Sequence, residues 1–329
     1  MSKEGVSIII CCYNSSLRIE KTLEHLANQE INDIGCEIIL VDNASSDNTV
    51  NIAKAVWSKI QNSKFVFSII HEKIQGVAYA RKKGANKANY EYLIFCDDDN
   101  WLDQTYVKNV YELFVLHPEI SVLGGMGIAQ FEDESLKPVW FDKFYQSYAI
   151  GDNVEKTAGM AIRKSILIEV MNNQPMFLHG RKQNHLSSGE DAEICLRVRL
   201  AGYKILYSPQ LTFQHFLTKK RLTWDYLKKL SIGFAQTNVV LCLYERALNS
   251  QKPELSPFYW LKKGLYYWGI YLKYWPKHYS AYKNGEGTIE EIHHITWSTI
   301  AKSYWRYNFK TIKIYNKIIA LKNEHFKSN

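Results

Sequence analysis

Asp97, Asp98 and Asp99 follow one another between Cys96 and Asn100, directly after the apolar run Tyr92-Leu93-Ile94-Phe95. Three adjacent carboxylates repel one another and are costly to bury unpaired. A divalent cation removes that cost, because hard metals take oxygen ligands and commonly bridge to substrate phosphates. Taken alone, the triplet is better explained as a solvated acidic turn. A second polar group, Ser187-Ser188-Gly189-Glu190-Asp191, stands before residues 192–201, where Ile194, Val198 and Ala201 recur at helical spacing. Ser188 is the predicted N-cap, and Glu190 and Asp191 fall in the first turn, where carboxylates suit the helix dipole. Capping accounts for both acids.

These groups need a scaffold, and the first half of the chain supplies a regular one. Strand-like runs at residues 6–10, 37–41, 65–70 and 92–95 alternate with helical patterns from about Arg18 to Asn28, from Ser45 to about Lys59, and from Ala78 to Ala88. Near-continuous apolar strands separated by helices predict an α/β fold with a mostly parallel sheet covered on both faces. In such sheets ligands bind beyond the C-terminal strand ends, where the aspartates would emerge. Shorter strands are expected around Val122 to Ile128 and Ala158 to Ile162, with Gly202 stopping the helix after Asp191.

Composition narrows the class. The chain has 329 residues, long enough for one large domain with an appendage. Its six cysteines include no C-x-x-C pair, which argues against a zinc site and a disulfide framework. The apolar run from Val6 to Cys12 is too short to be a signal peptide, and no stretch is long enough to cross a membrane, so a cytoplasmic protein is expected. The formal charge of +8 is carried by residues 250–329, which hold 13 Lys and Arg against 5 Asp and Glu. The same segment holds 18 of the 45 aromatic residues. Two domains are therefore predicted: residues 1–225, the catalytic part, and residues 226–329, a basic, aromatic-rich helical extension.

In order along the chain, Val6-Ser7-Ile8-Ile9-Ile10-Cys11-Cys12-Tyr13-Asn14, Ile39-Leu40-Val41-Asp42-Asn43-Ala44-Ser45-Ser46-Asp47, Gly76-Val77-Ala78-Tyr79-Ala80-Arg81 with Gly84, Cys96 to Asn100, Gly189-Glu190-Asp191, and Gly202-Tyr203-Lys204 with Gln214-His215 resemble the motifs of the family-two inverting glycosyltransferases. The resemblance spans roughly residues 5–220 and implies the GT-A fold. It also implies transfer of a sugar from a nucleoside diphosphate, UDP by family tendency, to a hydroxyl of a glycan or lipid-linked glycan in surface polysaccharide biosynthesis. By that resemblance Cys12, Tyr13 and Asn14 form a nucleotide-contacting turn, with Cys12 where the family usually has threonine. Asp42 would accept hydrogen bonds from base or ribose, and Arg81 would lie near the nucleotide. Asp97 and Asp99 would be the acids of a D-x-D motif, Asp98 a ribose contact, and His215 a further metal ligand. Asp191 would be the general base, with Glu190 second, and the cofactor would be Mn2+ or Mg2+. Gly124-Gly125 and Gly159-Met160-Ala161 are expected to line the sugar pockets, and the aromatic stretch 131–154 to carry acceptor specificity.

In the tail, Trp260, Tyr267, Tyr271 and Tyr274 share a helical face, with Lys262, Lys263, Lys273 and Lys277 interspersed. Such a helix suits peripheral contact with the inner face of an anionic membrane, and equally suits packing of its aromatics on the catalytic domain. No nucleic-acid-binding module is present in the pattern. A sugar nucleotidyltransferase would need a Gly-rich loop after the first strand, and Cys11-Cys12-Tyr13-Asn14-Ser15 has no glycine. A non-catalytic sugar-nucleotide-binding relative would be expected to lack the acids, yet Asp42, Asp97, Asp99 and Asp191 are all present.

Overall fold

The structure is a computed structural model, and it describes residues 3–60, 64–152, 159–172, 175–180, 188–249, 254–283 and 286–327. In chain order the elements are β1 (Lys3–Cys12), α1 (Ile19–Ala27), β2 (Cys36–Asp42), α2 (Thr49–Ile60), β3 (Val66–His71), α3 (Val77–Lys87), β4 (Tyr90–Asp97), β5 (Asn100–Leu102), α4 (Tyr106–Leu116) and β6 (Ile120–Phe131). They continue with α5 (Phe141–Phe144), β7 (Gly151–Asp152), β8 (Ala161–Arg163), α6 (Lys164–Asn172), α7 (Glu190–Leu200), β9 (Lys204–Leu217), α8 (Trp224–Asn249), α9 (Tyr259–Lys283), α10 (Ile289–Tyr307) and α11 (Lys310–Lys327).

Two compact units divide the chain. The first comprises Met1–Gln130, Ala149–Pro175 and Tyr203–Leu217. Its nine-stranded sheet has the order β3-β2-β1-β4-β8-β6-β9-β5, with β7 on β6. The first four strands pair parallel, as the strand–helix alternation predicts. Beyond β4 the pairs β4–β8, β6–β8 and β5–β9 are antiparallel. Antiparallel neighbours need no crossover helix, which is why the regular alternation fades after residue 100.

The central parallel strands β1 and β2 are buried on both faces, with Val6, Ile8, Ile9, Ile10, Ile38, Ile39 and Leu40 fully excluded from solvent, whereas the edge strand β3 is only half-buried. The core continues through α1 and α4, with Leu23, Leu26, Val107, Val110 and Phe114 packed against the sheet. Close approach of α3 depends on Gly84, where an added methyl would stand 2.5 Å from Ile9 Cγ2. Register fixes the edge that matters. Cys11 lies opposite Asp97, Cys12 opposite Asp42, and Asp42 opposite His71, so the last residues of four strands line up at one end of the sheet. Asp97 is thus the terminal residue of β4, inside the strand rather than beyond it.

The second unit comprises Phe131–Tyr148, Met176–Gly202 and Thr218–Asn329. Helices α7, α8 and α11 enclose a core of Leu196, Leu200, Leu243, Tyr244, Tyr315 and Ile318. The expected aromatic stripe of the tail lies against α10, not against the catalytic part: Tyr267 stacks on Tyr304, Tyr271 meets His294 and Tyr274 meets Trp297 at tilted angles, and Trp260 meets Trp305 edge-on. The opposite face of α9 is the solvent face, with Leu265, Tyr266, Leu272 and Tyr279 all more than half exposed. Trp140 and Phe141, read from sequence as acceptor-specificity residues, are buried, and Trp140 and Phe144 pack on Trp224.

Candidate active site

At the strand ends of the first unit, two tight loops are locked together. Asn14 and Ala44 both take left-handed backbone conformations, φ 49° and 60°. Ser45 Oγ accepts from the Asn14 N–H at 3.0 Å, and Asn14 Oδ1 accepts from the Ser46 N–H at 2.9 Å. Asn14 therefore spends its side chain on the neighbouring loop. Tyr13 stands half-buried between it and Cys12, which is fully buried. Burial pushes the Cys12 thiol well above its ordinary pKa, so it remains a neutral thiol.

Asp42 is buried, yet keeps capacity to accept. Its Oδ1 takes the Ser45 N–H at 3.3 Å, and its Oδ2 lies 3.1 Å from Nδ1 of His71. A carboxylate has about four acceptor positions, so two remain for a base or a ribose. The next residue, Asn43, ties the loop to the start of α3. Its amide donates to the carbonyls of Glu72 and Ile74, and its Oδ1 accepts from the Gly76 N–H at 2.8 Å. That bond places α3 and, one turn in, Arg81. The Arg81 side chain is buried against the Phe95 ring, and its Nη2 reaches to 3.8 Å from Asp97 Oδ1.

The three consecutive aspartates take three different partners. Asp97 faces Arg81 and is the accessible one, with 44% of its side chain exposed. Asp98 turns inward, where its carboxylate accepts from Ser15 Oγ and from Arg18 Nη2, the latter at 2.7 Å. Its carbonyl accepts from Thr22 Oγ1 at 2.8 Å. Asp99 is buried, and its Oδ1 lies 3.6 Å from Nε2 of His215. Pairing of β5 with β9 creates that approach: Asn100 lies opposite His215, and the Phe216 N–H donates to the Asp99 carbonyl at 2.8 Å.

Those two side chains fit a cation. A separation of 3.6 Å is too long for a hydrogen bond, whereas two ligands at right angles on one ion stand about 3 Å apart. The carboxylate suits Mn2+ or Mg2+, and an imidazole beside it favours a transition metal over Mg2+. Among the described residues no third His, Cys, Asp or Glu completes the set. Cations of this class commonly take their remaining ligands from substrate phosphates and water.

Glu190 and Asp191 belong to the second unit, in the first turn of α7. The N-cap is Gly189, not Ser188, and it has φ 106° with no side-chain cap bond. Only glycine adopts that conformation without strain, so the motif's Gly sets the turn that presents the two acids. Glu190 is buried, and Asp191 is half-buried, its Oδ1 accepting from the Ala192 N–H at 2.8 Å. One turn later Glu193 is fully buried. Its carboxylate accepts from the N–H groups of Phe177 and Leu178, from Arg197 and from Tyr244 Oη.

Several of these groups escape a motif reading. Ser15, Arg18 and Thr22 hold Asp98, and His71 reaches Asp42 from the strand beside it. Nothing local in the sequence marks them. Glu193 and Arg197 do leave a signal, the four-residue spacing of opposite charges on a helix. Gly125 has a packing role: a methyl there would stand 2.2 Å from the Leu211 carbonyl oxygen on β9.

Comparison with known proteins agrees with this architecture. Residues 7–170 match the family model described as glycosyl transferase family 2. The chain is 34% identical over 267 residues to the "Putative glycosyltransferase EpsH" of Bacillus subtilis (strain 168), covering 78% of this chain and 75% of that protein. It is 25% identical over 206 residues to the poly-β-1,6-N-acetyl-D-glucosamine synthase of Staphylococcus aureus (strain COL), covering 63% of this chain and 48% of the other. It thus spans about half the length of that relative. A mannosyltransferase from Pyrobaculum calidifontis, solved in complex with GDP-Man and Mn2+, shares the fold at a TM-score of 0.55 and 16% identity, over 98% of this chain and 87% of that one. The strand-end acids, the GT-A architecture and an extended match to a family relative lead to one conclusion: the chain belongs to glycosyl transferase family 2, and it is a glycosyltransferase.

Proposed function

We propose that this enzyme moves a sugar from UDP to a hydroxyl of a glycan or lipid-linked glycan, in one displacement with inversion, during surface polysaccharide synthesis. The observation that carries the reading is the alignment of Cys12, Asp42 and Asp97 on one sheet edge, with Asp99 and His215 facing each other on the adjoining hairpin. The name of one relative, the poly-β-1,6-N-acetyl-D-glucosamine synthase, supports a polysaccharide product, and the choice of UDP rests on family tendency.

In this reading the base and ribose lie along Tyr13, with Asp42 accepting from uracil N–H or ribose hydroxyls. Arg81 holds Asp97 in place and contributes positive charge beside the phosphates. Asp99 and His215 would hold Mn2+ or Mg2+, which supplies charge compensation for the departing nucleoside diphosphate. Asp191 takes the proton from the acceptor hydroxyl as its oxygen attacks the anomeric carbon. Glu190 flanks it as the second acid of the turn. No carboxylate nucleophile is needed, because a single displacement inverts the anomeric centre.

Association with the membrane surface is part of the proposal, and the solvent face of α9 is where it would occur. That face combines Leu265, Tyr266, Leu272 and Tyr279 with Lys262 and Lys273, an apolar and basic surface suited to anionic lipid. No helix among the described residues is long and apolar enough to cross a membrane.

Asp191→Asn tests the chemistry. Transfer should fall by about 10²–10⁴-fold, the usual contribution of a general base, while metal-dependent UDP affinity stays within twofold. Equal loss of both would show that Asp191 serves binding or folding, and the assignment would fail.

A further inference from the structure

The second unit contains a cavity of 470 Å3, within the size range of small-molecule sites. Its lining includes three potential cations, His179, Arg306 and Lys310, and no carboxylate among the described residues. Neither Arg306 nor Lys310 has an acidic partner among the described residues. Concave, partly apolar walls focus the field of such charges and draw an anion to the space between them.

Ordinary helix electrostatics explains only one of the two stronger cations. Arg306 stands in the last turn of α10, where a positive charge suits the dipole. Lys310 is the first residue of α11, where the dipole disfavours a positive charge. An anion in the cavity offsets that cost. Ser188 gives an independent sign: it lines the cavity, and its Oγ is buried without a hydrogen-bond partner among the described residues. A buried hydroxyl left unsatisfied is costly, and a ligand oxygen would satisfy it.

The cavity adjoins the turn that carries the proposed base. A methyl built on Gly189 would stand 3.3 Å from Leu178 Cδ1 and 3.4 Å from Thr237 Oγ1, and both residues line the cavity. Ser188 precedes Asp191 by three residues. We propose that this cavity binds a phosphate or diphosphate group carried by the acceptor, beside the α7 turn that presents Asp191. The proposal deepens the functional reading above and rests on it for the word acceptor. Arg306 and Lys310 supply the charge, Ser188 a neutral donor, and Phe177 with Tyr307 an apolar wall for whatever the phosphate is attached to.

The test uses the full chain carrying Asp99→Ala, in chelator, so that a metal-dependent donor site cannot capture the probe. Inorganic pyrophosphate titrated into it by calorimetry should bind at one site. Arg306→Gln with Lys310→Gln should weaken that binding at least tenfold, and Ser188→Ala severalfold. Both basic side chains are exposed, so unchanged melting temperatures are expected and would confirm intact folding. Absence of pyrophosphate binding, or equal affinity in the double variant, would overturn the proposal. Geranyl diphosphate in the same titration separates the sources: clearly tighter binding assigns a lipid diphosphate, and equal or weaker binding assigns a soluble phosphorylated glycan. UDP with Mn2+ is titrated in parallel into the chain with Asp99 intact. Failure there removes the functional reading, whereas failure with pyrophosphate alone removes only the cavity assignment.

Discussion

Nε2 of His215 stands 3.6 Å from Oδ1 of Asp99, held there by antiparallel pairing of a three-residue strand with a fourteen-residue one. Both side chains are largely buried, and the gap between them is longer than a hydrogen bond. Asp99→Ala is expected to lower UDP affinity in Mn2+ by about 10–100-fold, and His215→Ala by about tenfold, on the scale of lost metal-site support. Calorimetric titration in Mn2+ and in chelator measures it. Unchanged affinity in Asp99→Ala would remove the ligand assignment.

Asp97 and Asp98 should respond differently to the same substitution. Asp98 ties Ser15 and Arg18 to the end of β4, so Asp98→Ala leaves partly buried donors unsatisfied and should cost about 1–3 kcal/mol. Asp97 is 44% exposed and stands 3.8 Å from Arg81, so Asp97→Ala should cost under about 1 kcal/mol. Urea unfolding of the two variants distinguishes them, and equal losses would contradict the division of roles.

Glu193 and Arg197 are both fully buried and pair at 2.9 Å, with Tyr244 and two backbone N–H groups completing the network. Glu193→Gln keeps the volume but removes the charge that Arg197 needs. A loss of about 3–5 kcal/mol is expected, the usual cost of stranding one member of a buried pair. A change under 1 kcal/mol in denaturant unfolding would show that the network is not a keystone of the second unit.

Alkaline instability follows from the buried thiols. Burial pushes Cys36 from its ordinary 9.0 up to about 12. The folded pKa lies above the unfolded one, so this contribution is fully present below pH 9 and is lost as pH rises from 9 towards 12. The slope is about 1.4 kcal/mol per pH unit for one thiol. Cys36→Ala should flatten the stability profile between pH 9 and 11, and a profile parallel to that of the unsubstituted protein would contradict the assignment.

The two faces of α9 predict opposite phenotypes. Tyr267→Ala removes a ring stacked 6.0 Å from Tyr304 and should lower the melting temperature. Leu265→Ser with Leu272→Ser touches only the solvent face and should leave melting unchanged while reducing co-sedimentation with anionic vesicles. Full-length protein that ignores such vesicles would remove the membrane proposal.

How far the sequence was legible follows from which interactions are local. Strand-ending acids such as Asp42 and Asp97 could be read because a continuous apolar run announces a buried parallel strand and so its end. The periodicity of Tyr267, Tyr271 and Tyr274 marked a helical face but not its cover, since a stripe seeking a membrane and one seeking another helix look the same. Ser188 was the expected cap because serine caps by propensity. Gly189 took the position because the turn needs a positive φ, which side-chain chemistry does not announce. The contact of Asp98 with Ser15 and Arg18 spans some eighty residues, beyond any local pattern.

The proposed donor site needs both a uridine diphosphate and a metal. The most direct measurement is a calorimetric titration of UDP into the full chain, in Mn2+ and again in chelator, with GDP as the comparison. Single-site binding of UDP in Mn2+, its loss in chelator, and weaker binding of GDP are expected. Binding of UDP that ignores the chelator, or no binding of either nucleotide in Mn2+, would contradict it.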